Sequence, residues 1–198
     1  NGTISEINRG DRRSFLSMVI EKSNDDASFE VDTTFDKTDD QVLNFLNTFG
    51  LLSLFRTRPF SKVPFVGSLP NKIFISLIDS NPLAFNPTLV IKDNLEAFNK
   101  GLEIISYLPK EGIHVGIAED NNLDLYKSEN IYYHTFSGPH PIGLVGTQIH
   151  KISPASLVNQ IWTIGYQELI KIGKTILTGY QSNEKFISIS GPQVFNPE

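Results

Sequence analysis

The chain has 198 residues, 39% of them hydrophobic, with a formal net charge of −5 and a pI near 5.4. That is apolar material enough for one ordinary domain, or a domain plus a piece of another. It excludes a disordered chain, and the acidity argues against nucleic acid as a partner. The absence of cysteine removes disulfides, thiolate nucleophiles, cysteine-ligated iron–sulfur clusters and Cys-based zinc sites, and fits a reducing compartment.

In chain order, "TISEI" (3–7) alternates polar and apolar residues and reads as a strand, and "SFLSMVIEK" (14–22) as a second. "NRGDRR" between them is a turn with Gly10 at the bend, and the hairpin is too short to be stable alone. "KSNDDAS" is a polar turn, and "FEVDTTF" a short strand or extended exit. From Asp39 the spacing becomes helical: Val42, Phe45, Leu46 and Phe49 share a face, with Thr38 or Asp39 as N-cap and Gly50 near the end. "RTRPFSKVP" follows as a basic, proline-bounded loop. "KIFISLI" (72–78) is a nearly continuous apolar run, as buried parallel strands are. Two prolines keep "DSNPLAFNP" from being helix. Residues 93–107 carry Leu95, Phe98, Leu102 and Ile105 on one helical face; "IHVGIAE" and "IYYHTF" read as strands, "QELIKIGKTIL" as a helix and "KFISIS" as a closing strand. This succession predicts an α/β fold with a mainly parallel sheet and flanking helices, preceded by a small all-β tail. The chain begins without Met inside a strand pattern, and is expected to be a piece of a longer protein. No apolar run approaches the ~18 residues of a membrane span, and there is no signal-peptide pattern.

The stretch "FSGPHPIGLVGTQIH" (136–150) raises the question of a phosphate loop. Gly138, Gly143 and Gly146 form G-x4-G-x2-G. A P-loop needs Lys and then Ser or Thr after the second glycine, where Leu144 and Val145 stand, and the dinucleotide pattern G-x-G-x-x-G is absent. Pro139 and Pro141 lack the N–H donors of a phosphate cradle. The stretch reads as an ordered structural or docking loop. The four histidines, His114, His134, His140 and His150, make neither H-x-H nor H-x-x-x-H, so no metal site is expected. His140, between two prolines, is the one to test for function, and His150 shares the candidate segment. Arg56, Arg58 and Lys62 lie within seven residues. They suit a solvated loop, or else anion binding or docking to an acidic partner. Asp79, just after "KIFISLI", stands where α/β folds place functional groups, and a turn-capping role suits it equally.

"EINRG", "LFRTRPFSKVP", "IDSNPLAFNP", "SGPHPIGLVGTQIH", "GYQELIKIGKTILTG" and "SISGPQV", in that order, resemble the A-subunit family of sodium-translocating NADH:quinone oxidoreductases. The resemblance spans essentially the whole chain. It implies that residues 1–35 are the end of a barrel-sandwich (biotinyl-lipoyl-like) region and residues 36–198 a Rossmann-like α/β domain. It also implies a peripheral subunit on the cytoplasmic side of the bacterial inner membrane. Such a subunit carries no redox cofactor, is associated with ubiquinone, and packs against the membrane subunits. NADH, flavins, iron–sulfur, ubiquinone and Na⁺ are then handled by the complex through other subunits. The family's α/β domain is similar to one that binds flavin and NADH in a related complex. A nucleotide- or flavin-binding domain acting directly in NADH oxidation is therefore the alternative. Relatives commonly have His where this chain has Gln148, and often Asp at Glu168. The family names no catalytic residue in this part. Arg56, Arg58, Lys62, Gly138, His140, Gly143, Gly146 and His150 are binding or docking candidates on chemistry alone.

Overall fold

Residues with alternating apolar side chains need a partner strand and something to cover one face, and the two units of this chain differ in how far they supply both. The computed structural model describes residues 2–24, 30–156, 159–189 and 191. It divides into two units, Asn1–Glu30 and Val31–Glu198. In the first, β1 (Gly2–Arg9) pairs antiparallel with β2 (Phe15–Lys22), Ile4 opposite Ile20 and Arg9 opposite Phe15. Both strands are exposed along their length.

The second unit is built on a five-stranded sheet of order β3-β7-β4-β5-β6. Its strands are β3 (Arg56–Arg58), β4 (Lys72–Ser76), β5 (Ile113–Ala118), β6 (Ile131–Phe136) and β7 (Ile161–Thr163). β7, β4, β5 and β6 run parallel, and only the edge strand β3 is antiparallel. Alternate residues of β4 go to opposite faces. Ile73 and Ile75 join the main core, and Phe74 joins a smaller cluster with Ile149 and Ile161. The main core is closed by α1 (Asp39–Thr48), α3 (Leu95–Ile105) and α5 (Tyr166–Thr178), which contribute Leu46, Phe98, Leu102, Leu169 and Ile172. The opposite face receives α4 (Val145–Ile152). α2 (Pro87–Asp93) starts on a proline and is capped by Asn86, whose Oδ1 accepts from Thr88 N.

α3 and α5 pack closely because glycine stands at their contact. A Cβ on Gly173 would collide with the carbonyl of Ala97, and one on Gly101 with that of Leu169. α1 begins at the cap Thr38, whose Oγ1 accepts from Gln41 N, and Gly50 turns the chain beyond it at φ +69.

Three expectations need correction. The basic loop opens with strand β3, because Arg56–Arg58 can pair with the free edge of β7. Residues 145–150 of the glycine stretch are helix: Leu144 takes extended dihedrals and caps α4, whose Val145, Ile149 and Ile152 lie at helical spacing against Phe74 and Ile161. The central strand β7 carries no expectation of its own, nor does α2. Finally, "KFISIS" is not a strand over its described residues, 185–189. There the backbone of Phe186 bonds a side chain instead: its N donates to Gln167 Oε1 at 3.0 Å and its O accepts from Gln167 Nε2 at 3.1 Å.

Candidate functional site

The sheet opens where β4 and β7 lie side by side. From β4 the chain proceeds to β5 on one flank, while β7 returns on the other. Open α/β sheets bind ligands in the crevice beyond the carboxyl ends of strands at such a switch point. Here the crevice is a cleft of about 470 Å³. It is lined by Ser76, Ile78 and Asp79 at and beyond the end of β4, by Thr163, Ile164 and Gly165 at and beyond the end of β7, and by Arg56, Gly143, Tyr166 and Glu168.

The electrostatics of the cleft disfavour a phosphate. Burial raises the Tyr166 phenol above its ordinary value, and the nearby carboxylates of Asp79 and Glu168 raise it further. Glu168 stands in the first turn of α5, folded back over Gly165 and 3.4 Å from Lys185 Nζ. It thus occupies the helix N-terminus, where an anion would otherwise be held. Asp79 Oδ1 accepts from Asn81 N at 3.0 Å and Asn81 Nδ2 at 2.7 Å, forming an Asx turn. The cation of the cleft, Arg56, donates through Nη1 to the carbonyls of Ser53 (2.6 Å) and Phe55 (2.7 Å).

The loop between β6 and α4 is stitched to the end of β4. Gly143 N donates to Ser80 Oγ at 2.9 Å, and Ser76 Oγ donates to Gly143 O at 2.9 Å. Ser80 Oγ also hydrogen-bonds His140 Nδ1 at 3.2 Å. Beneath the loop, Gln148 is fully buried: Nε2 donates to Ser76 Oγ at 2.8 Å and to Ile142 O at 3.2 Å. Its carboxamide lies over the bare Cα of Gly116 in β5.

On the same face of the sheet His114 of β5 meets His134 of β6. Their Nδ1 and Nε2 atoms are 2.9 Å apart, and His114 also stacks on Phe74 with ring centroids 4.7 Å apart. Burial, aided by His134 and Lys72 and opposed by Glu111, pulls the His114 pKa down to about 4.

The structure therefore sorts the candidates. Arg56 and Gly143 line the cleft, and His140 is tied to Gly143 through Ser80. Arg58 and Lys62 turn to a separate groove. Gly138, at φ +129, is an exposed bend. Gly146 and His150 lie in α4, His150 in its last turn. Gln148, Ser76, Tyr166 and Glu168 are not among the candidates that the sequence suggests; the serines just inside and beyond an apolar strand, "KIFISLIDS", are the available signal. Among the described residues, no group of three or more His, Cys, Asp or Glu could hold a metal ion, and no helix is long and apolar enough to cross a membrane.

Residues 37–181 match the family described as the NqrA second alpha/beta domain. The whole chain is 41% identical over 201 residues to the A-subunit of the Na(+)-translocating NADH-quinone reductase of Histophilus somni, and equally to that of Yersinia pestis. The corresponding protein of Haemophilus influenzae is 40% identical over 202 residues. In each case the match takes in 100% of this chain and 45% of the relative, so the chain spans about half the length of these relatives.

Proposed function

The chain belongs to the NqrA second alpha/beta domain family, and from that membership we propose that it works as part of the A-subunit in a Na⁺-translocating NADH-quinone reductase. On this reading it is a peripheral subunit on the cytoplasmic side of the bacterial inner membrane. It assembles with the membrane subunits, is associated with ubiquinone, and leaves flavin, iron–sulfur and NADH chemistry to other subunits. Residues 1–35 then close a barrel-sandwich region, and residues 36–198 are its Rossmann-like partner.

The observation that carries the cofactor-free reading is the acidic mouth of the switch-point cleft. Asp79 and Glu168 both face it, and Glu168 fills the N-terminus of α5. A pyrophosphate there would meet carboxylates in place of free N–H donors. The position of the cleft favours a second reading, a domain that itself binds nucleotide or flavin, since dinucleotides occupy this crevice in related architectures. A visible spectrum of the purified chain and an NADH titration separate the two. The first reading expects a colourless protein with no saturable NADH binding. Flavin absorbance that survives purification, or saturable NADH binding lost on Gly143→Val, would establish the second.

A further inference from the structure

The loop that follows β3 is a cationic and apolar outcrop on an acidic chain. Between Asp40 and Asp79 there is no Asp or Glu, while Arg56, Arg58, Lys62 and Lys72 all fall there. Phe60, Val63, Phe65 and Val66 are exposed, Phe65 to 80% and Val66 to 70%. Four large apolar side chains facing water within seven residues are not explained by the core, and such patches mark interaction surfaces.

The outcrop is built, not loose. Thr57 N donates to Lys62 O at 2.7 Å, and Ser61 N donates to Thr57 O at 2.8 Å. At the tip, Ser68 donates to Phe65 O through N (3.1 Å) and Oγ (2.6 Å), and Gly67 turns at φ +83 with open space about it. Behind the tip lies a groove of about 210 Å³ lined by Arg58, Phe60, Lys62, Phe65, Ser68 and Gln160. Among the described residues neither Arg58 nor Lys62 is in an ion pair, and Arg58 Nε is buried in the fold with no hydrogen-bond partner.

We propose that residues 58–68 dock on an anionic phospholipid surface, with Phe65 and Val66 entering the headgroup–acyl boundary and Arg58 and Lys62 taking a headgroup phosphate in the groove. The combination decides the occupant. A protruding apolar tip flanked by cations, with acids excluded from the surrounding sequence, matches a bilayer interface in both polarity and charge. A groove bearing cations and a hydroxyl matches the phosphate, which Arg binds especially well. Docking of this kind rests on the peripheral placement given above. Its test reads lipid directly, so it can fail while the cofactor-free reading stands, and the reverse.

The full chain is mixed with vesicles of phosphatidylcholine alone, or with an equal part of phosphatidylglycerol, and sedimented. Binding is expected to the mixed vesicles, weakening as salt rises. Lys62→Gln should lower the partition coefficient about fivefold, as removal of one cation near an anionic surface does. Phe65→Ser should lower it by about tenfold or more. Both side chains are exposed, so an unchanged melting temperature is expected and is checked. Phe65→Trp gives a second readout. The chain has one tryptophan, Trp162, fully buried in the core, so emission that shifts to the blue and is quenched by brominated lipid must come from the tip. Equal binding to both vesicle types, binding unchanged by Lys62→Gln and Phe65→Ser, or no quenching of the added emission in Phe65→Trp overturns the proposal. Release by millimolar glycerol phosphate with no contribution from Phe65 also overturns it, as does capture by a purified protein partner without vesicle binding.

Discussion

His114 and His134 share a hydrogen bond across neighbouring parallel strands, Nδ1 to Nε2 at 2.9 Å, with the two rings stacked. A hydrogen bond between two imidazoles uses one ring as donor and the other as acceptor. Both pKa values are lowered, that of His114 to about 4 from 6.5. Between those values the unfolded chain takes up a proton that the folded one refuses. Stability should therefore be full above about pH 6.5 and fall as pH drops toward 4, with a slope of up to about 1.4 kcal/mol per pH unit from this one site. Urea unfolding across that range should show a shallower decline in His114→Phe than in the parent. Parallel pH profiles for the two would refute the assignment.

Gln148 and Gly116 should be energetically coupled. The carboxamide lies where a side chain on Gly116 would go, and its Nε2 is held by Ser76 and Ile142. Gly116→Ala should destabilise by about 1–3 kcal/mol through overpacking. Gln148→Ala should cost about 1–3 kcal/mol by leaving the partly buried acceptors on Ser76 and Ile142 without this donor. Measured together, the two changes should cost less than their sum by at least about 0.5 kcal/mol. Strict additivity would show that the pair does not share this space.

Gly143 should tolerate no branched side chain. A Cβ there would lie 2.6 Å from Ser80 N and 2.9 Å from Ile78 O, both backbone atoms that cannot swing away. Gly143→Val is expected to lower stability by about 1–3 kcal/mol. Amide exchange should rise in both the 137–144 loop and the turn after β4, because the two are joined through Ser76 and Ser80. Faster exchange in the loop alone would mean that the two segments move independently.

Gly173→Ala should be the more damaging glycine replacement. Its Cβ would be forced into the carbonyl of Ala97, and the neighbouring Gly101 already lies against the backbone of Leu169. Separation of α3 from α5 is the only relief, at a loss of about 3 kcal/mol, the upper end of ordinary overpacking. Thermal unfolding of Gly173→Ala against Gly146→Ala, whose Cβ meets nothing within 4 Å, provides the comparison. Equal melting temperatures for the two would exclude this packing.

Much of the fold is legible in the order of residues. The helical faces of α1, α3 and α5 carry a period that reports which side is buried, and the continuous apolar run of β4 reports a strand buried on both faces. The cap Thr38 does the same locally for α1. That neither the P-loop spacing nor G-x-G-x-x-G occurs can also be read directly, as can the basic, proline-bounded composition around Arg58.

The remainder depends on partners distant in sequence. Ile161–Thr163 is too short to show a period, yet it becomes a central strand because β3 and β4 offer it edges on both sides. "KFISIS" has the better pattern and is no strand over residues 185–189, where a glutamine side chain takes the backbone bonds of Phe186. Arg56, Arg58 and Lys62 are neighbours in the chain, but Arg56 lines the cleft and the other two line the separate groove. His114 with His134, and Gln148 with Gly116, meet only because parallel strands set them in register and α4 crosses above. Local patterns arise from the energetics of one segment with solvent. Pairing and close approach are properties of two segments at once, and only the folded chain brings both together.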